Sequence, residues 1–176
     1  MFRTKYLLTG LLMAGLVFSA FNAPRAFAAA DNKDKTAPSN PTQPPAGDKE
    51  EMADLMSKLA EKTVKIFELG YTVAHVEVDR LQKGQVYSAS RNLYGGNGYI
   101  VVGIGGRGIG DLDMKLEDAG GTTIAKDTEA DNVPIVQVTP KTTGNYTVKV
   151  AAAAIERGFD PENEYYFCWI IAFKNK

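Results

Sequence analysis

Three stretches hold residue types that could do chemistry. Gly103-Ile104-Gly105-Gly106-Arg107-Gly108 fits G-x-G-x-x-G directly after an apolar run, the spacing that lets a backbone approach a pyrophosphate. That use needs a helix N-terminus just behind the glycines. The chain continues instead as Ile109-Gly110-Asp111-Leu112-Asp113-Met114, with alternation of period two, which excludes the dinucleotide site. The glycines are expected to supply positive φ angles and a sharp crossing between strands.

Asp111 and Asp113 form the second stretch. On one strand they share a face, roughly 7 Å apart. With Asp118, or with Asp127, Glu129 and Asp131 of the following acidic loop, they could build a calcium site, because Ca²⁺ takes six to eight oxygen ligands. Their spacing does not fit an EF-hand loop. Solvated surface carboxylates are the simpler reading, so calcium is the one cofactor the sequence raises and none is required.

Third, a hydrolase would need a base, and His75, beside Glu77, is the only histidine. Ser88 and Ser90 stand in no nucleophile-elbow context. Pairing His75 with the only cysteine, Cys168, is chemically conceivable, but Cys168 lies in a continuous apolar run where a thiol is ordinarily buried and its pKa raised. One histidine and one cysteine also argue against zinc. The residue inventory therefore points away from an enzyme. Tyr165, Trp169 and Phe173 recur at i, i+4 and i+8; that stripe fits a sugar platform or, more simply, a packed core.

The elements that would position these residues begin after an export signal. Arg3 and Lys5 precede the apolar Tyr6–Phe21, and Ala26-Phe27-Ala28, or Ala28-Ala29-Ala30, supplies a small-residue cleavage site. The run is shorter than the ~20 residues of a membrane span, so no stable insertion is expected after cleavage. Removing residues 1–28 takes three of the 20 basic side chains and none of the 21 acidic ones, leaving a mildly acidic chain. Nucleic acid and anionic membranes, which need a basic face, are disfavoured as partners. Residues 29–47 hold Pro38, Pro41, Pro44 and Pro45 with little that is apolar, and read as a flexible linker.

Over residues 48–70 the pattern becomes helical. Asp48 is placed to cap the first turn and Glu51 to complete a capping box. Met52, Leu55, Met56, Leu59, Thr63, Ile66, Phe67 and Gly70 fall on one stripe, with Gly70 as the stop. The stripe can dock on the domain's own sheet or on a partner. From Tyr71 the period changes to two. Ala74, Val76 and Val78 alternate with His75, Glu77 and Asp79; further strand patterns follow at Val86–Leu93, Tyr99–Ile104, Leu112–Leu116, Thr122–Lys126, Val133–Thr139 and Tyr146–Val150. Tyr165–Phe173 is apolar on both faces. Short strands at about ten-residue spacing with Gly-rich turns and no interleaved helices predict a mostly β fold, an antiparallel β-sandwich over residues 71–176. The helical stripe is suited to cover the second apolar face of the last strand, which favours self-docking.

Gly110–Gly121 with Ile124-Ala125-Lys126-Asp127, then Val136–Pro140, Thr143-Gly144-Asn145-Tyr146 and Leu81–Tyr87, resembles the bacterial pre-peptidase C-terminal domain family over roughly residues 71–173. The resemblance implies a jelly-roll-like sandwich of exported bacterial proteins, usually an appendage to a protease or other exported enzyme and not itself catalytic. Here no catalytic domain accompanies it. The expected function is an exported, periplasmic or extracellular, non-catalytic module that binds a protein, glycan or cell-envelope component. The alternative is a structural subunit assembling through the 48–70 helix or a sheet edge. A secreted hydrolase, or an accessory or secretion domain of one, ranks below both, and the oligomeric state is left open.

Overall fold

The computed structural model describes residues 46–175. The leader, nearly all of the linker and Lys176 lie outside the described residues. Eight strands follow one helix: α1 Ala46–Glu68, β1 Thr72–Leu81, β2 Val86–Leu93, β3 Gly98–Gly105, β4 Ile109–Glu117, β5 Thr123–Asp127, β6 Ile135–Val138, β7 Gly144–Ile155 and β8 Tyr165–Lys174. They form two four-stranded antiparallel sheets, β1-β8-β3-β6 and β2-β7-β4-β5. The chain passes repeatedly between the sheets, which is the jelly-roll arrangement of eight strands.

Alternation decides what lies between the sheets. Leu112, Met114 and Leu116 of β4 and Val148 and Val150 of β7 face Phe167, Trp169 and Ile171 of β8 across the core, all essentially inaccessible to water. Tyr165 and Trp169 thus belong to the core, and Phe173 packs against it. On the outer face of the second sheet Glu117, 7% exposed, bridges Lys149 of β7 at 2.8 Å and Lys115 of its own strand at 3.0 Å.

The first sheet has no wet face in its centre. Ile100, Val102 and Ile104 of β3 and Cys168, Ile170 and Ala172 of β8 are covered by Leu55, Leu59 and Ile66 of α1. Burying each such leucine or isoleucine contributes about 1.5–3 kcal/mol, so the docked face holds the helix in place. Polar contacts fix its register: Glu51 Oε1 accepts from the Tyr166 amide at 2.8 Å, and Lys174 Nζ donates to the Leu69 carbonyl at 2.8 Å. The self-docking expectation is correct, but two details change. Helix α1 already runs from Ala46, so Asp48 lies inside it, and Glu51 reaches β8. The predicted single stripe also splits, because Met56 and Phe67 are exposed, as is Val64. Gly70, with φ +78°, ends the helix, its amide bonded to Phe67 O and the Tyr71 amide to Ile66 O.

Candidate functional site

The three predicted stretches come out differently. Among Gly103, Gly105, Gly106 and Gly108 none has a positive φ, which corrects that expectation; positive values occur at Gly70, Gly84, Gly96, Gly121 and Gly158. The reason is close packing. A Cβ on Gly106 would stand 2.5 Å from the Tyr166 carbonyl oxygen, and one on Gly108 2.0 Å from the Tyr165 ring. The segment does cross between the sheets, carrying the chain from β3 to β4. Its glycines admit neighbouring side chains and backbone.

Asp118, Asp127 and Asp131 are occupied with the fold. Asp127 Oδ1 accepts from the Glu129 amide at 3.1 Å and its Oδ2 from the Ile135 amide at 2.8 Å, which ties the end of β5 to the start of β6 and closes that margin of the sandwich. Asp131 Oδ1 accepts from the Val133 amide at 2.7 Å, and Asp118 Oδ1 from the Gly120 and Thr122 amides. Asp111 Oδ1 is buried without a hydrogen-bond partner; burial, then the nearby charges of Asp113 and Asp131, push its carboxyl above the ordinary value. Among the described residues no group of three or more His, Cys, Asp or Glu side chains is placed to hold a metal ion.

Cys168 and His75 lie on opposite faces of the first sheet. Cys168 is buried beneath α1, and burial pushes its thiol up to about 12. His75 packs on the inner side against Trp169, with ring centroids 4.9 Å apart. The thiol and the imidazole cannot act together.

The inner side of β1 is where the chemistry gathers. β1 and β2 are the edge strands of different sheets, and they flank the margin opposite the β5–β6 closure. Val76 and Val78 point outward and are 41% and 37% exposed, whereas His75 and Glu77 turn into the sandwich beside Trp169. The register break between Val73 and His75 accompanies this. From β2, Tyr87 donates its hydroxyl to Glu77 Oε1 at 2.5 Å, and Arg91 pairs with Glu77 Oε2. The Arg91 guanidinium also lies 5.2 Å from the Trp169 ring centroid, a cation–π placement. His75 Nε2 stands 3.0 Å from Glu77 Oε2 and 2.9 Å from Arg91 Nη2. A neutral imidazole can satisfy only one of these neighbours at that atom.

The electrostatics follow from the burial of this group. Burial pushes the Glu77 carboxyl up, but hydrogen bonds from Tyr87 and His75 and the charge of Arg91 outweigh it and hold it below the ordinary value. Tyr87 goes the other way, pushed up to about 12 by burial and by its bond to Glu77.

His75 and Arg91 also line a cleft of about 380 Å³. Its other walls are the end of β2 and the loop through Tyr94 and Asn97, with Tyr99, Ile171 and Phe173 as an apolar floor and Asn175 at the chain end. Tyr99 and Phe173 lie with ring centroids 6.2 Å apart, and the Tyr94 amide donates to the Tyr99 hydroxyl at 2.9 Å.

No family model matches the chain, and no curated protein matches it. Among solved structures it is similar to Aeromonas hydrophila PliG, a periplasmic lysozyme inhibitor of g-type lysozyme: TM-score 0.45, 12% identity, 60% of this chain and 90% of that chain covered.

Sequence reasoning named His75 and Glu77 but missed Tyr87 and Arg91 as their partners. A signal was present, since Tyr87, Ala89, Arg91 and Leu93 share one side of the β2 alternation and Leu93 must face the core. An arginine in phase with a core leucine marks an inward charge.

Proposed function

We propose that this chain is an exported, non-catalytic binding module whose ligand enters the cleft between β1 and β2. The observation that carries the reading is the inward turn of His75, Glu77 and Arg91 at an open margin lined by aromatic rings. Inward charges by themselves also guard an open sheet edge; what adds the ligand reading is the cleft that His75 and Arg91 line beside aromatic rings. Convergent polar groups over an apolar floor are the usual make-up of a ligand pocket.

Export is supported by the basic–apolar–small pattern of residues 1–28, and attachment at a distance by the Pro-rich residues 29–47. Among the described residues no helix is long and apolar enough to cross a membrane. The kinship with pre-peptidase C-terminal domains is supported by the motif order and by a structural role for its T-G-x-Y element: Tyr146, 7% exposed, donates to the Thr142 carbonyl at 2.9 Å and pins the turn ahead of β7.

The test is a binding screen of the mature protein against envelope proteins and glycans, repeated with Tyr94→Ala and Arg91→Ala. Loss of the captured partner in both variants, with the fold retained, supports the reading. Turnover of a hydrolase substrate abolished by His75→Ala would overturn it.

One observation favours a second reading, a structural subunit. Ala53, Met56, Ala60, Val64 and Phe67 form an exposed apolar seam on α1 beside the docked one. Assembly through β1 is disfavoured, because inward charges and a register break are the devices that block edge-to-edge pairing. Mass measurement in solution over a concentration series decides this, with Phe67→Asp dissolving any helix-mediated oligomer.

A further inference from the structure

Resting on the binding-module reading, we infer that the cleft takes one sugar residue of a saccharide, seated with an acidic substituent toward Arg91. At about 380 Å³ the cleft is at the small end of ligand sites and suits a single ring. Its floor offers the partly buried ring of Phe173, with Tyr99, 5% exposed, packed against it, and Tyr94, 62% exposed, stands at the rim. These are apolar surfaces against which the C–H faces of a pyranose can lie.

The polar part of the lining matches hydroxyl groups. A hydroxyl both donates and accepts, and so does a carboxamide; Asn97 and Asn175 supply two. The Tyr99 hydroxyl accepts from the Tyr94 amide, which leaves its own proton for an acceptor on the ligand. Asn92 is engaged with Asn145 at 3.5 Å and is not assigned to the ligand.

Charge sets the orientation. No Asp or Glu lines the cleft, and the nearest carboxylate, Glu77, is held behind it by Tyr87 and Arg91. Arg91 is already engaged, Nη2 with Glu77 Oε2 and Nη1 with the Ser90 carbonyl at 2.9 Å, so a carboxylate on the ligand shares the guanidinium with Glu77, which itself stands 3.0 Å from His75 Nε2. A peptide adding itself as a strand fits less well, because it needs an even ladder and the β1 edge is irregular between Val73 and His75, at the cleft itself.

Trp169 is the only tryptophan in the chain and lies under Arg91 and His75, so its emission reports on occupancy. Titration of the full mature protein uses uronic-acid oligosaccharides, their neutral counterparts and an acidic peptide library. The expected result is an emission change with the acidic sugars, an affinity at least tenfold lower in Tyr94→Ala, and loss of the acidic-over-neutral preference in Arg91→Met with neutral binding kept. Equal binding of acidic and neutral sugars by the wild type overturns the orientation. Peptide binding lost in Tyr94→Ala, with no response to any sugar, overturns the saccharide and leaves the module reading standing. Silence toward every probe overturns the saccharide, and the module reading then falls only if the envelope-protein screen is silent as well.

Discussion

Tyr87 on β2 donates its hydroxyl to Glu77 on β1 at 2.5 Å, and this bond joins the edge strands of two different sheets. Bonds to charged acceptors are worth about 1.5–3 kcal/mol, so Tyr87→Phe should lower stability by about that amount at pH 7. The fold favours the protonated phenol: the unfolded chain ionises near pH 10, the folded one near 12, and stability falls as pH rises between those values. Urea unfolding of wild type and variant from pH 8 to 12 checks both parts; the gap should close as the wild type loses its advantage.

Glu77 gives the acid counterpart. Its carboxyl titrates lower in the folded state than in the unfolded chain, so its contribution is full above the ordinary carboxylate value and is lost as pH falls through the folded one. Glu77→Gln should destabilise at pH 7, where Arg91 loses its counter-charge, and show a flatter stability profile from about pH 5 downward. Thermal unfolding at several acid pH values reads this directly.

Asp111 should be a liability of the fold. Its buried Oδ1 is unpartnered and its folded pKa is raised, so the ionised form costs stability above that pKa, a cost that disappears below the ordinary aspartate value. Asp111→Asn should therefore raise Tm at pH 7 and lose the gain near pH 3. Millimolar calcium should move neither melting curve, because both Asp127 oxygens are taken by backbone amides.

Gly108→Ala should cost about 2 kcal/mol or more. The added methyl meets the Tyr165 ring, which is 6% exposed and whose hydroxyl is bonded to the Asp160 carbonyl at 2.8 Å. Gly84→Ala meets no atom within 4 Å and should cost only the strain of φ +77°. Chemical denaturation of the two variants separates packing from backbone conformation.

Much of the fold was legible because period and composition agree along whole elements. The two-faced apolar run of β8 demands cover on both sides, and the 3.6-period stripe on α1 is a matching cover. The cleft was not legible for a physical reason. In an alternating strand the polar side is ordinarily the wet one, so His75 and Glu77 read as surface residues. At a sheet edge the inward side borders the open margin, where polar groups can turn in without entering a dry core. The meeting of Arg91 with Glu77 is also hidden in the pattern, because consecutive strands β1 and β2 lie in different sheets and touch only through side chains across the margin. The glycine run misled for a similar reason, because what excludes a side chain at Gly106 and Gly108 is carried by Tyr166 and Tyr165 some sixty residues on.

Cys168 lies beneath α1 with its thiol protonated at any physiological pH. In an oxidising compartment an accessible cysteine invites cross-linking between molecules. The docked helix acts here as a stopper over the chain's single reactive sulfur. Consumption of that sulfur by an alkylating reagent then becomes a clock for how often α1 lifts from the sheet.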